Sequence, residues 1–209
     1  MVTLQHFLFH VPCSMFHVMT YEAKKFDLLG IEGLSDNLLQ NHFGLYEGYV
    51  KNSNLVLEEL KKVEIGTPEY AELKRRFGWE FDGMRMHELY FGNLMKGGSR
   101  IDEATELKGQ MEKDFGSVES WEKDFLATLA MRGIGWAVLY YDIEAGRLFN
   151  TWIGEHDAGH LVTCAPLLVV DAFEHAYMTD YGTKRPDYIE AIMKVLCYHV
   201  VEGRFKLAK

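Results

Sequence analysis

The chain reads as an α+β protein: a long antiparallel helical hairpin on the N-terminal side, then a lobe in which a three-stranded antiparallel sheet is flanked by helices. Three observations predict this. Apolar residues recur at helical spacing over two long proline-free stretches, residues 38–60 and 69–95. The period then changes to strands over 136–141, 147–153 and 161–170, with a turn at Glu144-Ala145-Gly146. Helical spacing returns after them, the order expected when helices and an antiparallel sheet are segregated along a chain.

Each boundary has a chemical cause. Ser35-Asp36-Asn37 offers side-chain acceptors for the free N–H groups that begin the first helix. Thr67 caps the second helix and Pro68 takes its first position, where a missing N–H costs nothing. The link between them is too short for anything but an antiparallel return. Gly78 and Gly83 interrupt the second helix at about 1 kcal/mol each, which predicts a crowded site beside them. Lys96-Gly97-Gly98-Ser99 ends the hairpin, and Phe115-Gly116-Ser117 caps a further helix over 118–131 that stops at Gly133-Ile134-Gly135. The division expected is an N-terminal extension (1–20), a helical hairpin domain (21–98) and an α/β C-terminal domain (99–209) carrying a metal site.

With 209 residues, 48% of them hydrophobic, the chain can bury a substantial core. A net charge of −9 argues against nucleic acid or an anionic membrane surface as a partner, so an anionic ligand needs local positive potential. Cys13, Cys164 and Cys197 are odd in number, widely spaced and in apolar surroundings, as expected of reduced thiols in a cytoplasmic protein. The first eighteen residues carry no Lys, Arg, Asp or Glu and are interrupted by Pro12. They fit neither a signal peptide nor a membrane span. They read as a short extension, with His6, His10 and His17 as an adventitious metal-binding face and Met19 as an alternative start.

The chemistry begins at Asp171 and His175. Placed four residues apart on a helix, they would aim at one point, and the aliphatic run before them sets the carboxylate at the edge of a core where it needs a partner. An ordinary helical Asp/His pair is the simpler alternative. His42 and His87, each near the middle of a hairpin helix and flanked by aromatics, are the candidates to complete a metal site.

Those residues, with the segment Asp171-Ala172-Phe173-Glu174-His175-Ala176-Tyr177, the following Lys184-Arg185-Pro186-Asp187-Tyr188, and Gly133-Ile134-Gly135-Trp136, resemble the iron/manganese superoxide dismutases. The resemblance spans roughly residues 21–205. It implies one Fe or Mn ion per subunit held by His42, His87, Asp171 and His175, and conversion of superoxide to oxygen and hydrogen peroxide. It further implies a homo-oligomer, dimer or tetramer, in which Glu174 meets His175 of another subunit. The glutamine that tunes solvent at the metal in most of the family has two alternative positions; here the first is Gly83 and the second His156, as in some archaeal members. The first helix departs from the family pattern by one residue: His42 to Tyr49 is seven residues, which makes Tyr49 the expected gateway tyrosine with Tyr46 as the alternative. The channel histidine between them has become Leu45 or Tyr46, and two pocket tryptophans have become Phe91 and Phe173. A weakly active or non-catalytic metal-binding relative is the second reading. A mononuclear iron oxygenase is a third, disfavoured by a fourth ligand.

Overall fold

The computed structural model describes residues 20–209; the expectations for the N-terminal extension, including His6, His10, His17, Cys13 and the alternative start at Met19, lie outside the described residues. Helix α1 (Asp36–Glu59) begins where the Ser35 hydroxyl accepts the Leu38 N–H at 3.1 Å. Helix α2 (Pro68–Gly92) begins the same way, with Thr67 accepting from Tyr70 at 3.2 Å. The two helices run antiparallel, because ascending positions of α1 meet descending positions of α2: His42 with His87, Tyr49 with Gly83, Asn52 with Glu80.

Expected and observed ends differ slightly. Helix α2 stops at Gly92 because Asn93 turns its side-chain amide to the carbonyls of Tyr90 and Val169, and Leu94 then bridges to Leu196. Helices α3 (Thr105–Phe115) and α4 (Val118–Leu129) follow, the second capped by Ser117. Trp121, Phe125 and Leu129 make the buried stripe of α4, spaced every four residues.

The sheet has the order β2-β1-β3, all antiparallel, with β1 (Gly135–Asp142), β2 (Arg147–Gly154) and β3 (Cys164–Asp171). Strand β1 is central and buried almost throughout, which explains its unbroken apolar sequence. Its start matters for the site, since Trp136 pairs with Asp171 across the ladder. Helices α5 (Met178–Tyr181), α6 (Arg185–Lys194) and α7 (Tyr198–Ala208) complete the lobe. Among the described residues no helix is long and apolar enough to cross a membrane.

One expectation is corrected. Asp171 and His175 do not share a helix: Asp171 ends β3, and His175 lies in a single 3-10 turn (Glu174–Ala176). The apolar run that precedes Asp171 is rich in valine and pairs with β1, so the strand outcompetes a helix, and the Asp171 carboxylate then accepts the Phe173 N–H at 2.8 Å to turn the chain. The convergence survives because this tight turn brings the two side chains as near as a helical turn would have done.

Candidate metal centre

Four elements each contribute to one point. His42 comes from the middle of α1, His87 from α2, Asp171 from the end of β3 and His175 from the turn beyond it. The Nε2 atoms of His42, His175 and His87 lie 3.2, 3.1 and 3.8 Å from Asp171 Oδ2. One ligand atom from each residue falls within 4.8 Å of all the others. Donors bound at about 2.1 Å to one ion stand roughly 3–4 Å apart, so the set fits a single ion with little adjustment.

The electrostatics point the same way. Burial lowers His42 from the ordinary imidazole value, and lowers His87 further, so both are neutral. For Asp171 burial alone would raise the carboxyl, but the adjoining His175 and His42 rings outweigh it and hold the group below the usual carboxylate range. The His87 Nδ1–H donates to the Gly83 carbonyl at 2.6 Å, which leaves Nε2 a bare lone pair turned toward the carboxylate. Both ring nitrogens of His42 and the Nε2 of His87 are buried without a hydrogen-bond partner. Lone pairs facing a buried carboxylate repel it. A cation between them removes the repulsion and satisfies the orphaned nitrogens, and the donor set of three imidazoles and one carboxylate suits iron or manganese.

Aromatic rings wall the site. Phe91 meets His42 edge-on at 4.8 Å between centroids, Trp136 meets His87 at 4.9 Å, and Phe173 is stacked between His156 and His175 at 4.8 and 5.0 Å. The positions expected as Phe91, Phe173 and Trp136 therefore all line it.

Beside the ligands runs a hydrogen-bonded chain. The Trp136 indole donates to His156 Nδ1 at 3.2 Å, and His156 Nε2 lies 2.7 Å from the Tyr49 hydroxyl. An indole N–H can only donate, so the neutral imidazole carries its proton on Nε2 and gives that hydrogen bond to Tyr49. Burial depresses His156 to about 4, which keeps the ring neutral, and burial together with the Asp171 and Glu80 charges raises the Tyr49 phenol. Tyr46, the alternative, faces elsewhere: its hydroxyl accepts the Lys24 N–H at 2.8 Å and reaches Glu88 at 3.2 Å.

The two glycines of α2 part company. Gly83 stands against Tyr49, where an added Cβ would meet the ring at 2.7 Å, whereas Gly78 has open space and the crowding expected there is not found. Sequence reasoning also missed Trp79, whose ring lies 5.4 Å from Tyr49 and 4.7 Å from His156 and whose indole donates to Glu155 at 3.2 Å. The signal was available: Trp79, Gly83 and His87 fall on one helix face at intervals of four.

A lobe of helices packed on an antiparallel sheet, with a cluster of three histidines and one aspartate beside it, defines a protein with a site for a single metal ion. Comparison with known proteins places it more closely. Residues 103–204 match the iron/manganese superoxide dismutases, C-terminal domain. The iron superoxide dismutase of Aquifex pyrophilus is 37% identical over 187 residues, covering 85% of this chain and 87% of that protein. That of Cupriavidus metallidurans is 37% identical over 201 residues, 91% and 98% of the two chains. A manganese superoxide dismutase of Haloferax volcanii is 31% identical over 175 residues, 82% and 86% of the two. The chain belongs to the iron/manganese superoxide dismutase family. It is an oxidoreductase acting on superoxide with Fe or Mn as its metal, and His42, His87, Asp171 and His175 are placed to bind one ion.

Proposed function

We propose that Tyr49 and His156 manage the proton side of superoxide dismutation in this chain, beside the metal ligands His42, His87, Asp171 and His175. His42, His87, Asp171 and His175 would hold an iron or manganese ion, which would supply one-electron redox chemistry for superoxide. Hydrogen peroxide forms only when two protons accompany the second electron. The hydrogen-bonded chain from Trp136 through His156 to Tyr49 carries the reading. Because His156 donates to the Tyr49 oxygen, the phenol's own proton is free to point into the site. Both nitrogens of His156 are then engaged, so this histidine influences solvent at the metal through Tyr49 rather than with a donor of its own. His156 thereby works as a positioning residue for Tyr49.

The test is dismutation by metal-loaded Tyr49→Phe and His156→Gln proteins. Tyr49→Phe is expected to lower maximal turnover by about 100-fold at unchanged metal content, the low end of what a general acid contributes. His156→Gln should retain a donor to Tyr49 and gain a second N–H, altering the affinity of the site for azide as read from its absorption spectrum. Wild-type turnover in the first variant together with an unchanged azide affinity in the second would refute the assignment.

The helical hairpin (21–98) and the C-terminal lobe (99–209) are proposed as the two domains, with the site at their junction. A homodimer is proposed as the working form. Glu174 precedes His175 in the same short turn, and His175 is the one ligand that is not fully buried, its side chain 27% exposed. A Glu174 carboxylate from a second subunit could cover it and accept its remaining N–H, giving a two-fold interface. Sizing with light scattering at micromolar concentration should give twice the chain mass, and a monomer would overturn the proposal. The cytoplasm is proposed as its compartment and defence against superoxide as its role there, the free thiols of Cys164 and Cys197 being stable under reducing conditions; recovery of the protein in a membrane or exported fraction would contradict this.

A further inference from the structure

We propose that His160 is a positioning residue for dismutation: its imidazole fixes the turn that carries His156 and so sets the hydrogen bond from His156 to Tyr49, a role that rests on the reading of Tyr49 above. His156 belongs to no helix or strand. It lies in the connection between the end of β2 at Gly154 and the start of β3 at Cys164. Its neighbours Glu155, Asp157, Ala158 and Gly159 are exposed, whereas His156 itself is fully buried. A ring beside the metal ligands is therefore presented by a surface turn. Holding a side chain there to within about 0.5 Å takes a support beyond the turn's own backbone.

Gly154 and Ala158 exchange backbone hydrogen bonds at 2.8 and 3.1 Å, which closes the bend. Glu155 at its start has a φ of +53°, a conformation that a residue with a side chain keeps only where its surroundings hold it. His160 supplies that hold. Its Nε2–H donates to the His156 carbonyl at 2.8 Å, and its Nδ1 lies 2.7 Å from the Tyr140 hydroxyl. A carbonyl only accepts, so in the neutral ring the proton sits on Nε2 and the bare Nδ1 accepts from Tyr140. Burial raises the Tyr140 phenol, which keeps its proton and remains a donor. The Asp82 carboxylate of α2, 3.6 Å from the same Nε2, favours this tautomer.

The contacts pair off along the chain. Trp136 and Tyr140 of β1 stand four residues apart, as do His156 and His160, and Trp136 bonds the first imidazole while Tyr140 bonds the second. The central strand thus holds His156 twice, at its ring through Trp136 and at its backbone through His160. Asp82 ties the same point to the helix that bears Gly83 and His87. Without His160, and apart from the bond to Tyr49, three hydrogen bonds among the described residues would join residues 155 and 156 to the elements around them. These are the Trp136 bond, a long one from the Glu155 N–H to Ile134 at 3.4 Å, and the exposed Trp79–Glu155 bond at 3.2 Å. His156 would then lose its fixed 2.7 Å separation from Tyr49, and the Tyr49 hydroxyl the donor that orients it. The role is one of placement and calls for no change of protonation in His156, His160 or Tyr49.

The test compares wild type, His160→Ala, His160→Gln, Tyr140→Phe and Tyr49→Phe, each loaded with metal and checked for metal content and thermal unfolding. His160→Ala should shift the affinity of the site for azide, read from its absorption spectrum, by about 3- to 10-fold, the scale of one lost hydrogen bond, and lower maximal turnover by as much. His160→Gln has an amide that can donate to the His156 carbonyl and accept from Tyr140, and should return both to within about 2-fold of wild type. A residue that only supports the fold weakens every background alike. One that acts through Tyr49 does not, so adding His160→Ala to Tyr49→Phe should leave the azide affinity and turnover of Tyr49→Phe unchanged. Wild-type azide affinity in His160→Ala, no recovery in His160→Gln, or an equal shift with and without the Tyr49 hydroxyl overturns the proposal. If His160→Ala fails to fold or to load metal, Tyr140→Phe decides, since it removes only the hydroxyl that orients the ring. A shift in azide affinity that disappears in the Tyr49→Phe background then supports the proposal, and wild-type affinity or a shift that persists overturns it. Should Tyr49→Phe itself turn over like wild type, the reading of Tyr49 fails; should it be slow while His160→Ala binds azide normally, only the role of His160 fails.

Discussion

Asp171→Asn is expected to cost at least ~100-fold in affinity for iron or manganese and to bring dismutation close to background, more than the loss typical of a partner that merely orients a ligand. The substitution is nearly isosteric, so the turn at Phe173, held by Asp171 Oδ1, keeps its acceptor. What disappears is the one negative charge among four donors, on the oxygen toward which His42, His87 and His175 all converge. Imidazoles alone cannot offset the charge of a trivalent ion in a largely buried site. Metal content after dialysis and the superoxide dismutation rate measure the effect. Wild-type occupancy in the variant would show that the ion is held elsewhere. Thermal unfolding of the two metal-free proteins separates a loss of metal from a loss of fold.

Gly83→Ala carries the second large effect. Its Cβ would stand 2.7 Å from the Tyr49 ring, inside contact distance for any pair of carbons, and the ring is itself packed against His87, His156 and Trp79. Relief requires either α1 to withdraw from α2 or Tyr49 to leave His156. Overpacking of this kind costs about 1–3 kcal/mol. The variant should therefore unfold at lower temperature and show the slow turnover of Tyr49→Phe even though all four ligands are intact. Gly78→Ala is the internal control: its Cβ meets nothing within 4 Å, and a mid-helix glycine replaced by alanine should gain up to about 1 kcal/mol. Equal stability changes in the two variants would remove the case for a tight fit at Gly83.

The same pair shows where sequence reading reaches its limit. Both glycines break the helical pattern identically, so both predict crowding, but only contact with a residue from another helix tells them apart. The hairpin, its caps at Ser35 and Thr67, and the three strands are legible because local hydrogen bonding and period decide them. Spacing misplaces Asp171 onto a helix because a four-residue interval is the helical signature, while a strand followed by an Asp-closed turn yields the same interval and leaves no separate mark in the pattern. Tyr46 and Tyr49 are both open from spacing. Tertiary contacts separate them, the first turned to Lys24 and Glu88 and the second to His156.

The chain states its inventory directly: two long helices each carrying a histidine, a short antiparallel sheet, the Asp171 and His175 pair after it, and thus the donor types that suit iron or manganese. Residue chemistry and periodicity are local properties, which is why they can be read position by position. Other relations exist only once the chain is folded: the four donors meet within 4.8 Å, His156 is locked between Trp136 and Tyr49, and His160 ties the His156 carbonyl to Tyr140. They join positions up to 133 residues apart, from His42 to His175, and arise from which faces of α1, α2 and β3 pack together. Packing is a property of the whole core, so no segment carries it alone.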